Sequence, residues 1–311
     1  MARGSGKAGW LVGGLGFGVA AGVLLGTLVI APNMPEGSGP SAGVPQQDLE
    51  AANVRADIAE AQMASADSVV GELATSAVEG TLADRPILVI RTVDAVEEDV
   101  AGVEKLLSDA AAIDAGTITL GEEFFTSAGA DQLKSIVANT LPAGARLSED
   151  RLDPGLHAGE ALGSALTLDP GTGEQRATSD ERALLLRALR DAGYLDYEDG
   201  TILPAQVIVV VTGDSDGGGE AGLAARNLAD FVSALDGSGN GAVLAGRIRT
   251  AADTGAVGLV RANPENGVST IDSVDRAVGK MATVLSVREQ LAGETGAYGS
   301  AESAEAASPA P

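Results

Sequence analysis

The residues of this sequence best placed for chemistry form the run Thr212-Gly213-Asp214-Ser215-Asp216-Gly217-Gly218-Gly219. It follows the apolar stretch from Gln206 to Val211 and precedes a segment of helical periodicity, Ala221 to Leu235. Open α/β sheets bind ligands at such a place, beyond the carboxyl end of a strand and against a helix N-terminus. Gly213, Gly217, Gly218 and Gly219 would let backbone amides approach an anion closely. Asp214 and Asp216 would repel a phosphate and better suit a divalent cation, yet two carboxylates are fewer oxygen ligands than such an ion gathers. No Gly-Lys-Ser/Thr follows, and the glycines do not fit G-x-G-x-x-G. Two readings stand: a ligand loop made by Gly213, Asp214, Asp216, Gly217, Gly218 and Gly219, and a mobile turn.

Other chemistries lack parts. Soft metals take thiolate, thioether or imidazole ligands, and the chain has no cysteine, 4 methionines and 1 histidine. Met1, Met34, Met63 and Met281 are scattered, and His157 reads as an ordinary helix residue, so no metal-ligand set and no cofactor are expected. A Ser-His-Asp triad would have to use His157, and no serine stands in a G-x-S-x-G elbow. The pairs Glu97-Glu98 and Glu122-Glu123 read as exposed helix starts. No enzyme is expected. With 44 acidic against 20 basic residues the net charge is −24, which argues against a nucleic-acid partner or an anionic membrane surface.

The elements that would position the loop alternate between short aliphatic runs and amphipathic helices. Strands are expected at Pro86 to Ile90, Gly116 to Leu120, Gln206 to Val211, Gly241 to Ile248, Ala256 to Val260 and Met281 to Val287. Between them, Asp94 and Glu97 suggest a D-x-x-E cap before a helix ending near Ala112. Further helices are expected at Ala130 to Asn139, after Asp153-Pro154, and over Ser179 to Ala192, the last with a Ser/Asp cap. The alternation predicts a mainly parallel, doubly wound α/β domain over residues 81–293. The Gly/Ala/Ser/Glu-rich tail 294–311 is expected to be disordered.

Ahead of this domain, Trp10 to Ala31 carries no charge. At about 1.5 Å per residue it reaches roughly 33 Å, enough for a bilayer core of about 30 Å. It reads as an uncleaved transmembrane helix, with a cleaved signal peptide as the rival. Arg3 and Lys7 before it place residues 1–9 in the cytoplasm and the remainder outside. Gly14, Gly18, Gly22 and Gly26 stack into a ridge that would pair this helix with another, unless they reflect only a glycine-rich composition. Residues 32–47 are a Pro/Gly/Ser-rich spacer. Over residues 48–80 apolar positions recur at Leu49, Ala52, Ala56, Ala59, Met63, Ala66, Val70, Leu73 and Ala77, a heptad seam. The segment is either a coiled coil or a lone helix packed on the domain behind it. Ridge and seam together predict a membrane-anchored homodimer.

Several stretches carry a resemblance in matching order over about residues 67–300. They are Ile87-Leu88-Val89-Ile90-Arg91-Thr92, Gly116-Thr117-Ile118-Thr119-Leu120 leading into Glu123-Phe124, Leu141-Pro142-Ala143-Gly144 and Val210-Val211-Thr212-Gly213. Leu244-Ala245-Gly246-Arg247, Ser269-Thr270-Ile271-Asp272 and Gly296-Ala297-Tyr298-Gly299 complete the set. Together they resemble the MctB-type copper transport protein family of actinobacteria. The resemblance implies an envelope protein of copper transport or homeostasis, assigned in the family to the outer membrane. SteB-like relatives instead imply a dimeric cell-envelope and division scaffold acting through a cell-envelope protein partner. The family tail commonly reads Gly-His-Tyr-Gly, and here Ala297 stands in place of that histidine. Copper is thus implied by the family alone. The short, uninterrupted strands do not suit a membrane β-barrel, so the expected location is a single-pass cell-membrane protein with its main domain outside the cytoplasm.

Overall fold

The computed structural model describes residues 46–239, 241–263 and 266–310. The expected span from Trp10 to Ala31, with Gly14, Gly18, Gly22 and Gly26, lies outside them, as does the side chain of Leu49. Among the described residues no helix is long and apolar enough to cross a membrane. The chain divides into two units between Ala64 and Ser65, within helix α1 (Gln46–Val78). In the first unit, α1 is exposed from Glu50 to Ala64.

In the second unit the end of α1 packs on the domain through a face one residue away from the expected seam. Ala74 and Val78 are buried, and Asp67 Oδ1 accepts the Ala277 amide at 2.6 Å. Of the seam residues, Val70 is half-buried, while Met63 and Leu73 stay 49% and 61% exposed.

The domain continues with β1 (Pro86–Thr92), α2 (Glu97–Asp109), β2 (Ile113–Leu120), α3 (Ala130–Asn139), α4 (Pro154–Leu166) and α5 (Ser179–Asp191). Then come β3 (Leu195–Tyr197), β4 (Val207–Val211), α6 (Gly222–Asp236), β5 (Ala242–Ala245), α7 (Ala256–Arg261), β6 (Ser269–Ile271), α8 (Ala277–Ala292) and β7 (Ala297–Tyr298). Among the described residues these strands make one sheet in the order β3-β2-β1-β4-β5-β6-β7. All neighbours are parallel except β2 and β3. The chain winds outward from β1, then returns to the other side of β1 as β4, which makes the β1–β4 junction a topological switch point.

Both faces of the sheet are covered. Leu88, Ile90, Ile208 and Val210 pack under α3 to α7 through residues such as Leu133, Leu162, Leu186, Phe231 and Val257. Ile87, Val89, Val207 and Val209 pack against α2 and α8 through Val103, Leu107, Val284 and Leu285. Double coverage explains why β1 and β4 are apolar at successive positions rather than at alternate ones.

Three expectations are corrected. Ala256–Val260 is helical, as is Met281–Val287, which lies within α8. Both runs are apolar without a helical stripe because their helices are enclosed on more than one side: in α8, Ala282, Thr283, Val284, Leu285, Ser286 and Val287 are all buried in succession. A continuous apolar run cannot by itself separate a buried strand from a buried helix. The strands at this end of the sheet are instead β6 and β7, of 3 and 2 residues. The tail is ordered over its described part: β7 pairs with β6, and the Arg288 guanidinium donates to the Ala310 carbonyl.

Helix starts also differ from expectation. Thr178, not a Ser/Asp pair, caps α5, in a reciprocal capping box with Glu181. At α2 the N-cap is Val96 with no side-chain cap. Asp94 is thereby released from the capping role expected of it.

Candidate functional site

The register of the two central strands builds the site. Ile90 pairs with Val210 and Arg91 with Val211, so the next pair outward is Thr92 and Thr212. By the two-residue period of a strand both threonines face the α6 side. Both are buried, and their hydroxyls lie 3.1 Å apart. Thr92 Oγ1 is also 2.5 Å from Asp94 Oδ1. A carboxylate only accepts, and each hydroxyl has one proton. The donors therefore run in one direction, from Thr212 to Thr92 to Asp94.

A cavity of about 240 Å³ opens above this pair. Its floor is Thr92 and Thr212, its walls include Phe125, Ala225 and Leu228, and Asp94, Glu122 and Ser215 stand on its polar side. Close backbone approaches shape it. A Cβ at Gly213 would meet the carbonyl and carboxylate of Asp94, and one at Gly246 would meet the side chains of Thr250 and Thr212. Thr250 Oγ1, also lining the cavity, donates to the Arg247 carbonyl at 2.6 Å.

The glycine-rich run lies beside this cleft, and Ser215 from it lines the cavity. Its other groups are turned onto one another. The Gly217 amide donates to Ser215 Oγ at 3.3 Å and the Gly218 amide to Asp216 Oδ1 at 3.0 Å. Gly217 and Gly219 have φ of 68° and 57°, conformations that favour glycine. Asp214 Oδ1 accepts the Arg249 amide at 3.1 Å, and Asp216 Oδ2 accepts from the Arg249 guanidinium at 2.9 Å. The Gly218 amide, followed by Arg249, holds the Asp216 carboxyl below its ordinary value. Asp214 and Asp216 thus converge on Arg249 rather than on a common open centre.

His157 is buried in α4. Its Nε2 lies 3.0 Å from the Ser148 carbonyl and 2.9 Å from that of Arg151, so this nitrogen carries the proton and fastens residues 148–151 to the helix. Among the described residues no group of three or more His, Cys, Asp or Glu side chains is gathered as a metal site.

A second polar cluster lies at the end of β6. Arg261 donates to Asp272 Oδ2 through Nη1, to Thr270 Oγ1 through Nε and to the Tyr298 carbonyl through Nη2, at 2.9, 2.9 and 2.8 Å. Asp272 Oδ1 accepts the Ser300 amide at 2.6 Å. The arrangement clasps the segment Gly296-Ala297-Tyr298-Gly299 onto Ser269-Thr270-Ile271-Asp272. The Tyr298 hydroxyl donates to Glu289 Oε2 at 2.6 Å, and burial, then this carboxylate, raises the phenol above its ordinary value.

Sequence reasoning placed a candidate site after β4 and missed Thr92, Asp94, Glu122 and Phe125, which come from the ends of β1 and β2. Only the strand order brings them to Thr212. The available signal was the exit of β1, where a hydroxyl and a carboxylate follow a fully apolar run.

Comparison with known proteins gives a consistent result. A family model described as "Copper transport outer membrane protein, MctB" matches residues 11–309. A protein named "Copper transporter MctB" from Mycobacterium tuberculosis (strain ATCC 25618 / H37Rv) is 31% identical over 248 residues, 78% of this chain and 79% of its own. The protein of the same name from Mycobacterium leprae (strain TN) is 34% identical over 233 residues, 71% of this chain and 72% of its own.

Proposed function

The chain belongs to the MctB family, and on that premise we propose that it serves copper transport or homeostasis at the cell envelope as a membrane-anchored, non-enzymatic protein. The observation that carries the proposal is the family match across residues 11–309, which spans both the apolar N-terminal stretch and the folded domain. The relatives' shared name, copper transporter, supplies the cargo. The uncharged stretch from Trp10 to Ala31 supports an anchor, and its positive flank at Arg3 and Lys7 supports an envelope-facing domain.

The donor set bears on how copper is handled. With no cysteine in the chain and the Nε2 of its one histidine committed to two carbonyls, the soft ligands that copper prefers are scarce. The proposal therefore routes no copper step through a residue of this domain. Deleting the gene is expected to change growth under copper stress, and restoring the full chain is expected to reverse that change. Titration of the purified full chain with copper is expected to reveal no complex tighter than micromolar. An unchanged copper response in the deletion strain would contradict the proposed role.

A further inference from the structure

We propose that the cleft between the ends of β1 and β4 binds a small organic cation, an ammonium group on a compact apolar body. The inference stands on the cleft alone and does not depend on the copper role. The cavity of about 240 Å³ falls below the roughly 300–1,000 Å³ of pockets for drug-sized ligands, so the occupant is compact. Its walls at Phe125, Ala225 and Leu228 take the apolar body.

The sign of the charge follows from which polar groups remain unspent. The Thr212 proton goes to Thr92, the Thr92 proton to Asp94 and the Thr250 proton to the Arg247 carbonyl. The neighbouring amides of Gly217 and Gly218 bond within their own loop. What the cleft still offers is mostly acceptors: Thr212 Oγ1 and the carboxylates of Asp94 and Glu122, with Ser215 keeping one hydroxyl proton. Among the described residues no lysine or arginine lines the cavity, and neither Asp94 nor Glu122 is in a salt bridge. An ammonium brings three donors and the complementary charge. A phosphate, the usual guest at this position of a doubly wound sheet, would meet two carboxylates instead.

The test uses the full chain in neutral detergent with three probes of one shape: 2-phenylethylamine, 2-phenylethanol and phenylacetate. Binding is read by saturation-transfer NMR and calorimetry. The amine is expected to bind, the alcohol about tenfold more weakly, and phenylacetate not at all. The double variant Asp94→Asn with Glu122→Gln changes two exposed side chains and is expected to weaken the amine at least about tenfold and the alcohol much less. Ala224→Leu, which narrows the cleft, is expected to remove both. The proposal is overturned if the amine fails to bind the native chain at millimolar concentration, if phenylacetate binds as well as the amine, or if the double variant binds the amine like the native chain.

Discussion

At the end of β6, Asp272 is wholly enclosed and answers the Arg261 guanidinium together with the Ser300 and Ala301 amides. Replacing it by alanine leaves Arg261 buried without its counter-charge, and breaking one half of such a pair costs about 3–5 kcal/mol. Asp272→Ala is therefore expected to lose that much in urea unfolding and to open residues 296–303 to hydrogen exchange; a loss below about 1 kcal/mol would contradict the clasp. Glu181 behaves differently because it is only partly covered. The Thr178 hydroxyl first, then the Ala143 and Thr178 amides, hold its carboxyl below the ordinary value of 4.5. Its contribution is complete above that value and disappears as pH falls through the lowered folded value. Glu181→Gln should thus be less stable than the native chain at neutral pH, and the gap should close in acid. A gap constant with pH would sink this reading.

Helices α4 and α6 show how composition becomes packing. Gly155, Gly159 and Gly163 recur every four residues along α4, and a Cβ at each would strike the Asn227 carbonyl, the Phe231 carbonyl or Ser238. The ridge lets α4 and α6 approach at backbone distance, seating α6 over the central strands and thus forming one wall of the cleft. Overpacking at such a contact costs about 1–3 kcal/mol. Gly159→Ala is expected to lower stability by that amount, measured by urea unfolding, and a neutral result would contradict the close approach. Elements differ in how far sequence exposes them. β1 and β4 declare themselves because both faces are apolar. α7 and α8 were hidden by the same property, since enclosure on several sides erases the helical stripe. β6 and β7 are too short to leave a pattern, and β6 contains Ser269 and Thr270, so only their pairing identifies them.

Across the whole molecule, stretches that carry the family resemblance converge on one edge of the sheet: Arg91-Thr92, Thr212-Gly213, Gly246-Arg247 and Asp272 all stand at carboxyl ends of parallel strands. Their separation along the chain hides this, because strand order is a property of the folded sheet and not of any local spacing. The loop after β4 was legible as a candidate from the general rule for open α/β sheets, and of it Thr212 and Ser215 line the cleft. Its partners Thr92, Asp94 and Glu122 were not, and Asp94 was mistaken for a helix cap because its spacing to Glu97 fits one. The sheet accounts for a cleft, while the proposed copper role rests on family membership and the match over residues 11–309.

The central claim is that this chain serves copper transport at the envelope, and cell-associated copper tests it most directly. Mass spectrometry after a copper pulse would compare parent cells, cells lacking the gene and cells with the full chain restored. The account predicts an altered copper content in the deletion strain and its return to the parental level on restoration. Equal copper content in all three would contradict it.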